Sequence, residues 1–421
     1  MKNKINQILY DLKHQPVISW VTLTGTALSV FLIMVVVMMQ QIQIMPFAPE
    51  SNRGKVLYGV FFHYKQDRSN GSGGMNYDIA RKLYSGLDGI KCTSYFSYDA
   101  YPCDVKGTNG EIFTANLRDV DSEFWKIFDH TLTEGRLFTP EDVESGAKVA
   151  VIDQQTASRL FGSEDASGAT MEINHVPYRV IGVVKNSSPL ATRAYSNVFV
   201  PIILDSRGDI IRWGDVAVAL LKKEGVNDEN IRKQVENRYA QVNTELATDN
   251  ISIVYHEAPF DQETISSGKL YSNVAPDLED SRNYRLLTYI LLLIVPAINL
   301  SSMLHSRMRR RISEIGIRRA FGCTRARIIG DIISENFIVT LAGGIAGIIA
   351  GIIFAANFEG LYANRENLEY IEAPSVMILL NLTTIATALG ICLLLNILSA
   401  SIPAWQASRI NPVEAINGKT N

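Results

Sequence analysis

Histidine and cysteine are scarce in this chain, six and four among 421 residues, and neither type gathers into a cluster. His14, His63, His130, His175, His256 and His305 stand singly, with no H-E-x-x-H pair and no Cys/His spacing of a metal site. No G-x-S-x-G elbow is present. The one phosphate-loop lookalike, GSEDASGAT at 162–170, has the wrong spacing and lacks the lysine that would reach a nucleotide. These absences argue against a metalloenzyme, a serine hydrolase and an ATPase site. A membrane-anchored enzyme using His256 or Glu257 is left as a minor alternative.

Charge is missing from four long stretches. Residues 17–39, 286–304, 337–358 and 375–402 contain no Asp, Glu, Lys or Arg, and each has the length of a transmembrane helix. The same absence counts against an ion-coupled transporter, which needs ionisable groups within its spans. Four uncharged helices also make a poor complete pore, so a dimer driven by another component is the better reading.

What is there lies between and around those stretches. Lysines and arginines mark the N-terminus (Lys2, Lys4, Lys13), the segment after the second span, and the tail (Arg409, Lys419), which places all three inside. Residues 40–284, roughly 245 of them, then form a domain outside. The first span reads as an uncleaved anchor, because no A-x-A pattern closes it. Residues 1–16 read as an amphipathic interfacial helix, with Ile5, Ile8, Leu9 and Leu12 on one face. The remaining expected boundaries are 285–306 for the second helix, 307–336 for a cytoplasmic elbow, 337–358 for the third helix, 359–374 for a short external loop, 375–402 for the fourth helix and 403–421 for a cytoplasmic tail.

Within the large domain the period changes from 2 to 3.6 and back, twice. Strand-like 55–64, helical 77–87 and strand-like 91–98 form one β-α-β unit, with the Gly/Ser-rich RSNGSGG read as a turn. Residues 215–223, 229–246 and 251–257 form a second. The stretch of about 110–205 is richer in strands, and TMEINHVPYRVIGVV turns around Asn174 to Pro177 like a hairpin. The expected fold class is an α-helical membrane protein with four transmembrane helices and an α+β extracytoplasmic domain, its two β-α-β units interrupted by a strand-rich insertion. Residues 259–284 read as a polar approach to the second span. Cys92 and Cys103 both fall in this domain, where a disulfide across a hairpin and two separate buried thiols fit the spacing equally.

In the third span Gly343, Gly347 and Gly351 recur every four residues, a stripe on which another helix, from this chain or a second copy, approaches closely. Eight arginines lie between Arg307 and Arg327. Topology accounts for arginines there, but not for the apolar and acidic island Glu314, Ile315, Gly316 and Ile317 among them. Gly322 suits the left-handed residue that ends a helix, and Thr324 suits the cap of the next. A helical elbow offering a docking surface to a soluble partner is the expectation.

The stretch SEIGIRRAFGCTRARII…SENFIVTLAGGIAGIIAG, residues 313–351, resembles the cytoplasmic elbow and third span of the FtsX-like permeases of ATP-binding cassette systems, which include the MacB-type and lipoprotein-releasing permeases. DSEFWKIFDHTLTEGRLFTPED (121–142), VAVIDQQTASRLFG (149–162) and YRVIGVV (178–184) resemble the MacB-type periplasmic core, and LTGTALSV (23–30) and IPAWQASRINPVEAIN (402–417) the family's entry and exit segments. The resemblance implies that Ser313, Glu314, Ile315, Gly316, Ile317, Arg318, Arg319 and Gly322 couple to an ATPase. Cys323 stands where alanine is more usual.

It further implies a multi-pass inner-membrane subunit with both termini cytoplasmic, paired with a second permease chain as a homo- or heterodimer and bedded in membrane lipid. The partners expected are a separate cytoplasmic ABC ATPase, which holds the ATP and Mg while this chain holds no cofactor, and periplasmic or outer-membrane components. Nucleic acid is not expected. The implied function is transmission of ATP-driven motion to the periplasmic domain, moving a peptide, drug or lipoprotein. The alternative is an FtsX-like regulator of an extracytoplasmic cell-wall enzyme.

Overall fold

The computed structural model describes residues 16–66, 69–163, 165–203, 214–266 and 312–365, and scattered positions within 279–298 and 385–405. The expected interfacial helix, second and fourth spans and tail lie wholly or largely outside the described residues. The chain divides into a helical unit (Met1–Gln41, Arg282–Asn357, Ser375–Asn421) and a globular unit (Ile42–Ser281, Phe358–Pro374).

The first element is α1 (Pro16–Ile44), within which Leu23–Ile44 is long and apolar enough to cross a membrane. Among the described residues it is the one helix that meets this test; Leu341–Asn357 is a shorter apolar segment. The globular unit then runs through β1 (Val56–Gly59), β2 (Phe61–Gln66), β3 (Ser69–Gly74), α2 (Tyr77–Tyr84), β4 (Ile90–Ser97), β5 (Tyr101–Lys106) and β6 (Ile112–Val120). It continues through α3 (Phe124–Ile127), β7 (Leu132–Gly135), α4 (Pro140–Glu144), β8 (Val149–Asp153), α5 (Gln154–Phe161), β9 (Thr170–Ile173), β10 (Val176–Val184) and β11 (Val198–Pro201). The second expected β-α-β unit follows as β12 (Val216–Lys222), α6 (Asp228–Leu246) and β13 (Ile251–Val254), and α7 (Gln262–Ser266) comes last.

Local chemistry sets these boundaries. The Asn76 carboxamide accepts from Ile79 N at 2.8 Å to start α2, and the Asp153 carboxylate accepts from Thr156 N at 2.8 Å to start α5. In α6, Ile231, Val235, Tyr239, Val242 and Leu246 are buried along one face, and their spacing is that of a helix packed on one side. Asn174 and His175 both take positive φ, 48° and 66°, joining β9 to β10 by the tight turn that a right-handed twisted hairpin requires.

The two expected β-α-β units meet in one sheet, in the order β1-β12-β4, which forms the platform of the domain. The insertion is not a separate layer, because β6 continues that sheet through the single residue pair Phe96 and Val120. Beyond it the order is β6-β11-β8-β10-β9-β5, and β5 pairs back with β6. Six strands therefore close into a ring, which removes the free edges of an open insertion. Its interior holds Val105, Phe113, Ile152, Met171, Val180 and Val198, a cluster distinct from the platform core around Tyr58, Leu83, Phe96 and Val218.

One reading is corrected here, and one pair of open alternatives is decided. RSNGSGG, expected to be a turn, supplies β3, which pairs along its length with β2 in a small sheet ordered β13-β2-β3. Cys92 and Cys103 are not bonded: each is a buried thiol, one in the platform core and one in the ring. Cys92 Sγ donates to Glu123 Oε2 at 3.0 Å, and burial pushes both thiols up to about 12.

Candidate functional site

The arginine-rich segment folds as an elbow of two helices, α8 (Ile312–Ala320) and α9 (Arg325–Arg365). Gly322 takes φ +86°, a conformation that costs a residue with a Cβ about 1 kcal/mol or more. Around it Cys323 N donates to Arg318 O and Gly322 N to Arg319 O, each at 3.0 Å. This pair of bonds is the Schellman closure of a helix C-terminus. Arg327 N donates to Thr324 Oγ1 at 3.4 Å at the start of α9.

A small apolar contact holds the bend. Ile315 and Ile328 bury against one another, with Cys323 packed beside them. The island read from the sequence is thereby divided: Ile315 and Gly316 turn inward, while Ile317 and Arg318 are exposed and Glu314 and Arg319 half-buried. Ser313 lies in α8. Arg318 donates from Nη2 to Glu314 Oε1 at 2.5 Å, and its Nη1 is 4.0 Å from Asp331 Oδ2. Phe321, not singled out among the residue contacts expected from the sequence, is 88% exposed at the tip. Its position directly before Gly322, at the end of the helix, was the available signal.

The glycine stripe is occupied from within the chain. A Cβ on Gly343 would come within 2.7 Å of Thr26 Cβ, and one on Gly347 within 2.6 Å of Ala27 O. At Gly351 the neighbour is Met34, with Cε at 2.8 Å. Thr26, Val30 and Met34 recur every four residues on α1, so small residues on α9 receive a matching ridge. Phe31 and Phe354 meet edge to face at 5.7 Å farther along. The helix that carries the stripe extends beyond the expected span of 337–358, from Arg325 to Arg365.

An elbow rigidified by one buried contact, a capped bend and a second helix packed along α1 can carry a push from α8 into α9 without melting.

Comparison with known proteins finds two matching families. Residues 19–238 match the MacB-like periplasmic core domain, and residues 286–412 the FtsX-like permease C-terminal family. The macrolide export ATP-binding/permease protein MacB 2 of Aeromonas hydrophila subsp. hydrophila is 26% identical over 304 residues, 72% of this chain and 43% of that protein. An uncharacterised ABC transporter permease of Bacillus subtilis, YknZ, is 24% identical over 302 residues, 72% of this chain and 70% of that one. The crystal structure of the periplasmic region of MacB from Actinobacillus actinomycetemcomitans aligns at 20% identity and a TM-score of 0.37, covering 52% of this chain and 95% of that one. The chain thus spans less than half the length of the MacB relative.

Proposed function

Given that the chain belongs to the FtsX/MacB-type ABC transporter permeases, membrane proteins with a MacB-like periplasmic core domain, we propose that it exports its cargo by mechanical transmission. Closure of an associated ABC ATPase presses on the elbow, α8 and α9 carry the displacement to the membrane helices, and the periplasmic domain moves in response. ATP and Mg are held by the ATPase. The chain crosses the cell inner membrane four times, with both termini cytoplasmic, and works as a dimer of permease chains.

The observation that carries this reading is the elbow's surface. Phe321 and Ile317 stand exposed at 88% and 48% beside the Glu314–Arg318 pair, while the bend beneath them is locked by Ile315 and Ile328. An exposed aromatic on a rigid support, carried by a helix that also bears charged residues, is the make-up of a docking hot spot. The absence of charge from the spans supports movement of cargo by the periplasmic domain over conduction through a polar pore. The cargo classes proposed are a peptide, a drug of the macrolide kind named for the MacB relative, or a lipoprotein.

The test is affinity purification of the tagged full chain from native membranes, with identification of what accompanies it and an ATPase assay. The expected result is a co-purifying ABC ATPase whose retention is lost in Phe321→Asp and Glu314→Arg. A chain that purifies intact and alone, without ATPase even after crosslinking, overturns the reading.

A further inference from the structure

Four buried charged residues of the periplasmic unit converge on one loop, residues 188–197 between β10 and β11. Glu50, Arg53, Arg118 and Arg193 are 1%, 3%, 1% and 8% exposed. Burying a charged side chain is unfavourable unless its partners are complete, so what these four hold is informative.

Arg53 faces two ways. Its Nη1 donates to Ile42 O at 2.6 Å in the last turn of α1 and to Met45 O at 3.2 Å just beyond it. Its Nη2 donates to Leu190 O at 3.0 Å, and its Nε to Glu50 Oε2 at 2.6 Å. Glu50 in turn accepts at Oε1 from Arg193 N at 2.7 Å and Ala194 N at 3.0 Å. One buried pair therefore binds the end of α1 on one side and three backbone groups of the loop on the other.

The loop is gripped from its far side as well. Arg118, on β6, donates to Thr192 O at 3.1 Å and Tyr195 O at 3.2 Å, and to Ser97 O and Tyr98 O at the end of β4. The His130 ring donates from Nε2 to Ala194 O at 3.1 Å. Arg193 reaches Tyr98 Oη at 2.8 Å. After Ser196 the chain enters β11, which lies in the ring between β6 and β8. At the same end of α1, Gln262 Nε2 and Ser266 Oγ of α7 donate to Gln43 O at 3.1 and 3.2 Å.

Sheet pairing alone joins platform to ring by a single residue pair, so the loop is a principal polar link between α1 and the ring. We propose that Glu50 and Arg53 are positioning residues that form a joint, delivering displacement of the C-terminal end of α1 through residues 190–195 to the six-stranded ring. This rests on the mechanical reading above. The guanidinium suits the task because its rigid fork spans acceptors on both partners at once, which an ammonium cannot do. Full burial leaves no water to bridge a gap if the fork is removed.

The test uses the full chain with its ABC ATPase in nanodiscs, followed by hydrogen–deuterium exchange with and without ATP and vanadate. In the native complex, nucleotide trapping is expected to alter exchange both in elbow peptides (312–325) and in peptides covering 188–201. In Arg53→Met the elbow response and ATP hydrolysis persist, while the response at 188–201 falls at least about threefold, and Arg53→Lys restores part of it. If Arg53→Met does not fold, as judged by exchange in β4 and β12 without nucleotide, Glu50→Gln decides, since its amide oxygen keeps an acceptor for both backbone amides while its NH2 removes the acceptor of Arg53 Nε. An unreduced response at 188–201 in the folded variant overturns the joint. A native complex that responds at the elbow but not at 188–201 overturns the joint and leaves the coupling reading standing; no response at the elbow removes both.

Discussion

Two Arg–Glu pairs at similar sequence spacing behave oppositely in this protein. Glu314 and Arg318 pair at 2.5 Å with side chains 44% and 47% exposed, whereas Glu50 and Arg53 pair at 2.6 Å with both side chains 1% exposed. Water screens the first, so its geometry adds little to stability and is free to be exchanged for a partner's charges. The second has no such substitute and is held by five backbone groups, so it fixes relative position. The difference teaches that charge at the elbow suits recognition and charge at the root suits rigidity.

The contrast is broken most severely at the root. Arg53→Met leaves Glu50 buried without its cation and is expected to destabilise the periplasmic unit by roughly 3–5 kcal/mol, read from denaturant unfolding of the full chain in detergent. Next comes the packing of α9 on α1. Gly347→Ala places its methyl against the backbone oxygen of Ala27 and is expected to cost about 1–3 kcal/mol, whereas Gly351→Ala meets only the flexible Met34 side chain and costs less. Thermal aggregation of the two variants side by side checks the order.

A pH experiment sharpens the same comparison. Burial holds the His130 imidazole down at about 4, below its ordinary 6.5, so the folded state binds fewer protons than the unfolded state between these values. Its contribution is complete above pH 6.5 and is lost as pH falls toward 4, by up to about 3 kcal/mol. His130→Gln, which retains a donor for Ala194 O, should flatten the acid limb of the stability profile. The smallest effect on stability is expected at the elbow. Glu314→Ala should shift unfolding by no more than about 0.5 kcal/mol while uncoupling ATP hydrolysis from export; a large loss of stability would mean that the pair is structural.

Much of the architecture was legible because it depends on neighbours in sequence. The α6 stripe from Ile231 to Leu246, the hairpin turn at Asn174 and His175, and the helix stop at Gly322 all follow from residues within a few positions of one another. RSNGSGG was misread because nothing local makes it a strand. It becomes one by pairing with β2, where the Tyr64 ring lies over Gly71 in place of a side chain. The fates of Cys92 and Cys103 were likewise open, since their spacing does not say that one faces the platform core and the other the ring interior. At the elbow the island of residues 314–317 was visible as a departure from its basic surroundings, but which members face outward depends on where Ile328 packs.

By itself the sequence determined the class of this protein: charge-free stretches, a helical elbow and two β-α-β units are written in composition and period, which act over a few residues. Only the tertiary structure decided that the insertion closes into a ring, that the glycine stripe receives α1, and that Glu50 and Arg53 meet a loop some 140 positions away. Glu50 and Arg53 look like ordinary surface residues in the sequence. Their role arises from burial, which turns a weak ion pair into a position-fixing one by excluding the water that would otherwise replace each bond.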